Sequence, residues 1–220
     1  DPVSAFGGIV ALSEPVDEAT GKLLAETFLE VVVAPAFTPA AREALAAKKG
    51  LRLLELPAIT ATETAEGLGA LELRSIPGAL LVQGRDLSLV DPRSAKVVTQ
   101  RAPTPQELAD LRLAWAVCKH VRSNAIVLAK DDVAIGVGPG QPNRLDSVRI
   151  AATRSRTPVQ GAVLASDAFF PFPDGILAGA DAGVTAVIQP GGSVRDAEVI
   201  AAADARGLAM VLTGERHFRH

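Results

Sequence analysis

The sequence has no excess of basic residues: 22 Lys and Arg stand against 25 Asp and Glu, a net charge of −3. That balance argues against nucleic acid or an anionic membrane surface as the main partner, because either would draw on a surplus of positive charge. Cysteine is nearly absent. Cys118 is alone, which excludes an internal disulfide and fits a reducing cytoplasm. No run approaches the roughly 18 apolar residues of a membrane span, and the first residues do not show the basic-then-apolar order of a signal peptide. Metal-ligand spacing is missing as well. Cys118-Lys-His120 falls inside a helical pattern, far from His217 and His220, and no Cys-x-x-Cys or His-x-Glu supplies what a zinc deaminase needs. Zinc is therefore not expected, Cys118 is read as a small core residue, and His120 as a surface or capping group.

What is present points to a globular α/β protein: 48% hydrophobic and 21% charged residues over 220 positions allow a sizeable core. Asp17 is placed to cap a helix over 18–30, with Leu23, Leu24, Ala25 and Phe28 on one face, before a buried strand at Val31–Ala34. Thr38-Pro39 opens a second helix, Gly50 stops it, and Leu51–Leu56 reads as a strand. Residues 57–67, rich in Thr, Ala and Glu, read as a linker. Leu71–Val82 and Lys96–Arg101 are expected strands. Thr104-Pro-Gln-Glu107 is a capping box for a helix whose stripe is Leu108, Leu111, Trp115 and Cys118. Ala125–Ala129 and Val133–Val137 flank Lys130-Asp-Asp132 as a hairpin, and a helix is expected through 147–152.

The last third repeats strand, polar cluster and helix. Gly161–Ala165, Val184–Ile188 and Leu208–Leu212 are apolar β-type runs, each followed by a polar cluster: Ser166–Asp174, Gln189–Asp196 and Glu215–His220. The clusters would sit at the carboxyl ends of buried strands, where open α/β sheets bind ligands. Ser193 is read as the cap of the last helix and Gly207 as its stop. Gly136–Gly140 can be read either as an anion-contacting loop or as a tight strand-to-helix turn; it lacks the P-loop ending. Phe169, Phe170 and Phe172 crowd three of seven phenylalanines into four positions, serving as core anchors or as a stacking surface, and the flanking Asp167 and Asp174 favour a polar ligand nearby. Arg216 and Arg219 make a basic tail.

The order and wording of eight stretches resemble one family. They are Asp1-Pro-Val-Ser-Ala-Phe-Gly-Gly-Ile-Val-Ala, Glu30-Val-Val-Val-Ala-Pro, Gly78-Ala-Leu-Leu-Val-Gln, Arg122-Ser-Asn-Ala-Ile-Val, Gly136-Val-Gly-Pro-Gly-Gln-Pro-Asn-Arg, Ser166-Asp-Ala-Phe-Phe-Pro-Phe, Gln189-Pro-Gly-Gly-Ser and Arg216-His-Phe-Arg-His. The chain is similar to the bifunctional purine biosynthesis proteins that join a formyltransferase to an inosine monophosphate cyclohydrolase, and specifically to the C-terminal part of the formyltransferase portion. The resemblance implies formyl transfer from 10-formyltetrahydrofolate to the 5-amino group of 5-aminoimidazole-4-carboxamide ribonucleotide. It further implies cytidine-deaminase-like layered α/β lobes without zinc, one partial (residues 1–57) and one complete (58–220). A cytoplasmic homodimer with sites at the subunit interface and a structural monovalent cation also follow from it.

Carried over position by position, the resemblance implies that Asp1 binds the ribose, that Asn124 and Arg144 hold the nucleotide, and that the Phe169 backbone meets its carboxamide. Arg216 would contact the phosphate and His220 would lie near the base. Leu145, Asp174, Ser193 and Val194 match the folate positions, with Asn124 and Asp174 the candidates nearest the chemistry. The family's lysine-histidine pair and its cyclohydrolase domain have no counterpart in these residues, and no initiator methionine opens them, so a fragment of a larger enzyme is expected. A non-catalytic ligand-binding or dimerisation piece is the alternative. Pro173 and Pro139 stand where family members often have arginine and alanine.

Overall fold

A computed structural model describes residues 5–57 and 71–219. The chain divides into two compact units, Asp1–Leu87 and Ser88–His220. The expected linker over 57–67 falls, but for Pro57, on residues 58–70, which lie outside the described residues, as does the start of the second expected lobe at 58.

The first unit has a parallel three-stranded sheet, ordered β1 (Gly8–Ala11), β2 (Leu29–Ala34) and β3 (Arg52–Glu55). Helices α1 (Glu18–Glu26) and α2 (Pro39–Leu45) connect the strands. Asp17 caps α1 by accepting from the Thr20 amide at 2.8 Å, and Thr38 caps α2 by accepting from Ala41. Helix α1 ends four residues before the expected Glu30. The β-branched run Val31–Val33 joins the sheet, and Leu29 and Glu30 are drawn into β2 with it. Leu23 and Phe28, expected on the core face, are exposed; Val16, Val32, Phe37, Ala41 and Leu45 form the core instead. The expected strand Leu71–Val82 is an antiparallel pair, β4 (Leu71–Ile76) and β5 (Ala79–Gly84). Pro77-Gly78 breaks it, with Gly78 at φ +75°, the left-handed value a tight turn demands.

The second unit is a six-stranded sheet between helical layers. Its order is β6 (Lys96–Val97), β11 (Ala209–Leu212), β10 (Ala186–Gln189), β9 (Val163–Ser166), β7 (Ile126–Lys130) and β8 (Val133–Gly138). Strands β9, β10 and β11 are parallel; β7 runs antiparallel to β9, and β8 antiparallel to β7. The expected strand Lys96–Arg101 shrinks to β6 plus a bridge from Arg101 to Ala209. Alternate residues face opposite layers, as the pleat requires. Val127, Ala165, Ile188 and Val211 pack under helix α3 (Pro105–Cys118) with Leu111, Trp115 and Cys118. Ile126, Leu128, Leu164, Val187 and Met210 pack on the other face beneath α4 (Arg144–Arg154), α5 (Asp174–Ala182) and α6 (Asp196–Ala205). Leu108, the first residue of the expected stripe, is only half-buried. This is a mixed α/β architecture of stacked layers.

The capping box forms: the Glu107 amide donates to Thr104 Oγ1, and Glu107 Oε2 accepts from the Thr104 amide. Arg101 adds a two-pronged pair, at 2.8 Å to each carboxylate oxygen. Burial alone would raise this carboxyl, but the Arg101 guanidinium and the Thr104 amide outweigh it and hold it at about 2. The folded value lies below the ordinary 4.5. The contribution is therefore complete above about pH 4.5 and is lost as pH falls towards 2. Solvent screening keeps the effect to about 1–2 kcal/mol. A Glu107→Gln variant should lose that amount at pH 7 and show a flatter acid limb in urea titrations between pH 2.5 and 4.5; an unchanged acid limb would exclude this cap as an acid-labile element.

The first two glycines of Gly136–Gly140 serve packing within the strand. Gly136 and Gly138 lie within β8, where a Cβ would meet the Ala151 carbonyl oxygen at 2.3 Å and that of Ser147 at 1.9 Å. Their role is close approach of strand to helix α4. That helix starts at Arg144 rather than 147, because the Asn143 side chain caps it by accepting from the Asp146 amide at 2.8 Å.

Candidate functional site

The reversed strand β7 creates the site. Because β7 is antiparallel to β9, Ile126 at its beginning pairs with Ser166 at the end of β9, and with Gly138 at the end of β8. Asn124 before β7, Arg144 after β8 and the Ser166–Asp174 cluster after β9 thus arrive at one edge of the sheet. The segment after β11 joins them, as the His217 amide donates to the Asp167 carbonyl and the Ser123 amide to the Arg219 carbonyl.

Arg144 is the hub. It is 7% exposed, and Nη1 donates to Ser166 Oγ at 2.9 Å and pairs with Asp167. Nη2 donates to Asn124 Oδ1 at 2.9 Å. The orientation of Asn124 is set independently, since its Nδ2 donates to the carbonyls of Gln141 and Pro142 at 2.8 and 3.2 Å. Its Oδ1 therefore faces a donor.

The aromatic cluster divides its tasks. Phe170 is buried, its amide donates to Gln189 Oε1 at 2.9 Å, and its ring lies where a Cβ on Gly175 would meet it at 2.5 Å. Phe169 is half-buried, and Phe172 is 48% exposed under the Arg195 guanidinium, 4.9 Å from the ring centre. Asp174 opens α5, exposed, with Oδ1 accepting from the Gly175 amide; a carboxylate suits the positive end of a helix dipole. Pro173 occupies the cap position.

A cavity of about 650 Å³ collects these groups: Asn124, Arg144, Leu145, Phe169, Asp174 and Arg216 all line it. Its size is that of an ordinary small-molecule site. Ser193 and Val194 do not line it. Ser193 precedes α6 by more than a cap's distance, because the Asp196 carboxylate accepts from the Gly192 and Ser193 amides while Ser193 Oγ accepts from Arg195. Val194 is fully exposed. Asp1 and His220 lie outside the described residues.

Sequence reasoning passed over Ser166, and weighed Asp167 only as a neighbour; both are fully buried against Arg144. The tail also differs from expectation, since His217 is buried with its ring 4.7 Å from that of Trp115. Cys118 is buried as expected. Burial pushes its thiol well up, and the Asp167 charge adds to the effect, so a thiolate nucleophile is disfavoured here. Among the described residues no three His, Cys, Asp or Glu side chains gather as a metal centre would require.

The sequence signature of the AICARFT/IMPCHase bienzyme family matches residues 1–154. The chain belongs to this family. Three bifunctional purine biosynthesis proteins, PurH, align with the whole of it: that of Anaeromyxobacter dehalogenans strain 2CP-C at 59% identity, that of Myxococcus xanthus at 57% and that of Sorangium cellulosum at 56%. The chain spans 42–43% of the length of these bienzyme relatives. A solved structure titled as protein ybgI, of unknown function, overlays on 96% of the chain and 74% of its own length at 14% identity and a TM-score of 0.22, too low to transfer anything. No helix among the described residues is long and apolar enough to cross a membrane.

Proposed function

We propose that this chain belongs to the formyltransferase portion of the bienzyme and carries most of the contacts to 5-aminoimidazole-4-carboxamide ribonucleotide and to 10-formyltetrahydrofolate. One observation carries the reading: six positions that the resemblance assigns to the two substrates, drawn from four separate segments, line a single cavity. The fold assignment, cytidine-deaminase-like lobes in a homodimer, belongs to the same proposal.

In the reaction the 5-amino nitrogen attacks the formyl carbon, the bond from that carbon to the folate N10 breaks, and the proton lost by the amine is balanced by one gained at N10. The exposed Arg216 supplies a guanidinium for the phosphate dianion. Arg144 and Asn124, bonded to each other, would present fixed polar atoms to the nucleotide, and the backbone of Phe169, which lines the same cavity, would meet the carboxamide. Phe172 offers an apolar face for the pterin, and the Asp174 oxygen not bound to Gly175 is an acceptor for its row of N–H donors. Fixed donors near the reacting carbonyl would stabilise the oxyanion that forms on it. The monovalent cation remains part of the proposal through the resemblance alone, and no step here runs through it.

Calorimetric titration of the ribonucleotide into this chain tests the reading. Saturable binding is expected, weakened about 10- to 100-fold in Arg216→Ala, the range for losing a charge-assisted hydrogen bond. Absence of saturable binding, or an Arg216→Ala variant that binds as tightly as the parent, would overturn the assignment of this cavity to the nucleotide.

A further inference from the structure

Asp167 is fully buried and pairs through Oδ1 with Arg144, while Oδ2 is buried without a hydrogen-bond partner among the described residues. A buried ion pair contributes little to stability over an apolar replacement, so the pair calls for another reason to exist. The donors of Arg144 supply one. A guanidinium carries five N–H groups; both on Nη1 are taken by Asp167, Ser166 and, at 3.5 Å, the Ala125 carbonyl. One on Nη2 goes to Asn124. The Ser166 hydroxyl proton is committed to the Ala168 carbonyl at 2.7 Å, so Ser166 Oγ can only accept from Arg144. What remains is Nε–H and one hydrogen of Nη2, on a side chain that lines the cavity.

We propose that Asp167 is a positioning residue for nucleotide binding: with Ser166 it neutralises and orients the Arg144 guanidinium, so that the two uncommitted N–H groups on adjacent nitrogens are held for oxygens of the nucleotide. This rests on the cavity being the nucleotide site. Asp167 itself is buried behind Arg144 and acts only through it. Arginine suits the role because its planar fork keeps the direction of every donor once one side is fixed.

A double-mutant cycle on ribonucleotide affinity tests it, using the parent chain, Asp167→Asn, Arg144→Ala and the double variant. Asp167→Asn is expected to weaken binding about 30-fold and Arg144→Ala about 100-fold, with the double variant within about 3-fold of Arg144→Ala, because residues that act as a unit are not additive. Additive losses, or an Asp167→Asn chain that binds as the parent does, overturn the inference. Near-ultraviolet circular dichroism checks that each variant is folded. Should Asp167→Asn not fold, Ser166→Ala, which leaves no buried charge unpaired, carries the same cycle with an expected loss of about 5-fold, abolished in the Arg144→Ala background. The cycle is repeated in potassium and in choline chloride. An Asp167→Asn loss that is equal in both supports action through Arg144, and one seen only in potassium overturns it in favour of a held cation. A parent chain without saturable nucleotide binding overturns the proposed function and this inference together, whereas a binding parent with an additive cycle overturns this inference alone.

Discussion

Replacing Gly138 with alanine is expected to lower the stability of the second unit by about 3 kcal/mol or more, because overpacking against backbone has no flexible side chain to absorb it. The added Cβ would stand 1.9 Å from the Ser147 carbonyl oxygen and 2.7 Å from its carbon. Strand β8 or helix α4 must move by more than an ångström. Arg144 and Asn143 sit in the first turn of that helix, so the displacement reaches the site. Nucleotide affinity should fall together with stability. Gly207→Ala is the control. Its surroundings are open, with nothing within 4 Å of an added Cβ, and its φ of +66° brings only the cost of a left-handed side chain, about 1 kcal/mol. Urea unfolding of both variants decides the matter. If Gly138→Ala unfolds no earlier than Gly207→Ala, the close approach of β8 to α4 is not what that glycine serves.

Much of this architecture was legible because its signals are local. Thr104-Pro-Gln-Glu107 forms the capping box that it spells, Gly207 ends its helix, and Lys130-Asp-Asp132 turns a hairpin with Asp131 and Asp132 at φ 51° and 59°. The apolar runs over 161–165, 184–188 and 208–212 supply the three parallel central strands, which lie at 163–166, 186–189 and 209–212. What local signals do not carry is strand order and direction. Asn124 reaches the Arg144 and Asp167 edge only because β7 is inserted in reverse beside β9, and nothing in Ala125–Ala129 says which way it runs. Burial at the chain's end was hidden for a similar reason. His217 stands between two arginine-bearing positions that read as solvated, yet Trp115 from α3 takes its ring. Ser193 does not become the cap because the helix starts later, at Asp196: Ser193 Oγ accepts from the Arg195 amide in the turn before it, and Asp196 reaches back to the Gly192 and Ser193 amides. The family resemblance named residues that composition and periodicity left undecided, and the cavity brings together those among the described residues of the second unit except Ser193 and Val194.

The aromatic loop separates stability from binding, and two substitutions two residues apart should show it. Phe170→Ala is expected to cost about 3–5 kcal/mol, the range for a buried aromatic truncated to alanine. Its ring is 1% exposed and fills the space against Gly175 at the start of α5, while its amide is tied to Gln189. Losing the ring removes the support under Phe169 and Asp174 together, so folate and nucleotide affinity should both decline with the melting temperature. Phe172→Ala should behave oppositely. Phe172 is about half exposed, with the Arg195 guanidinium over its ring, so stability should change by less than about 1 kcal/mol. If Phe172 is instead a face for the pterin, its loss should weaken folate binding about 10-fold, the value of a desolvated aromatic contact, and leave nucleotide affinity nearly unchanged. Thermal unfolding and separate titrations with 10-formyltetrahydrofolate and the ribonucleotide read all four quantities. A Phe172→Ala chain that binds folate normally would remove the aromatic face from the proposed folate site. A Phe170→Ala chain of parental stability would mean that the loop is held by its backbone, with the Gln189 contact sufficient to shape it.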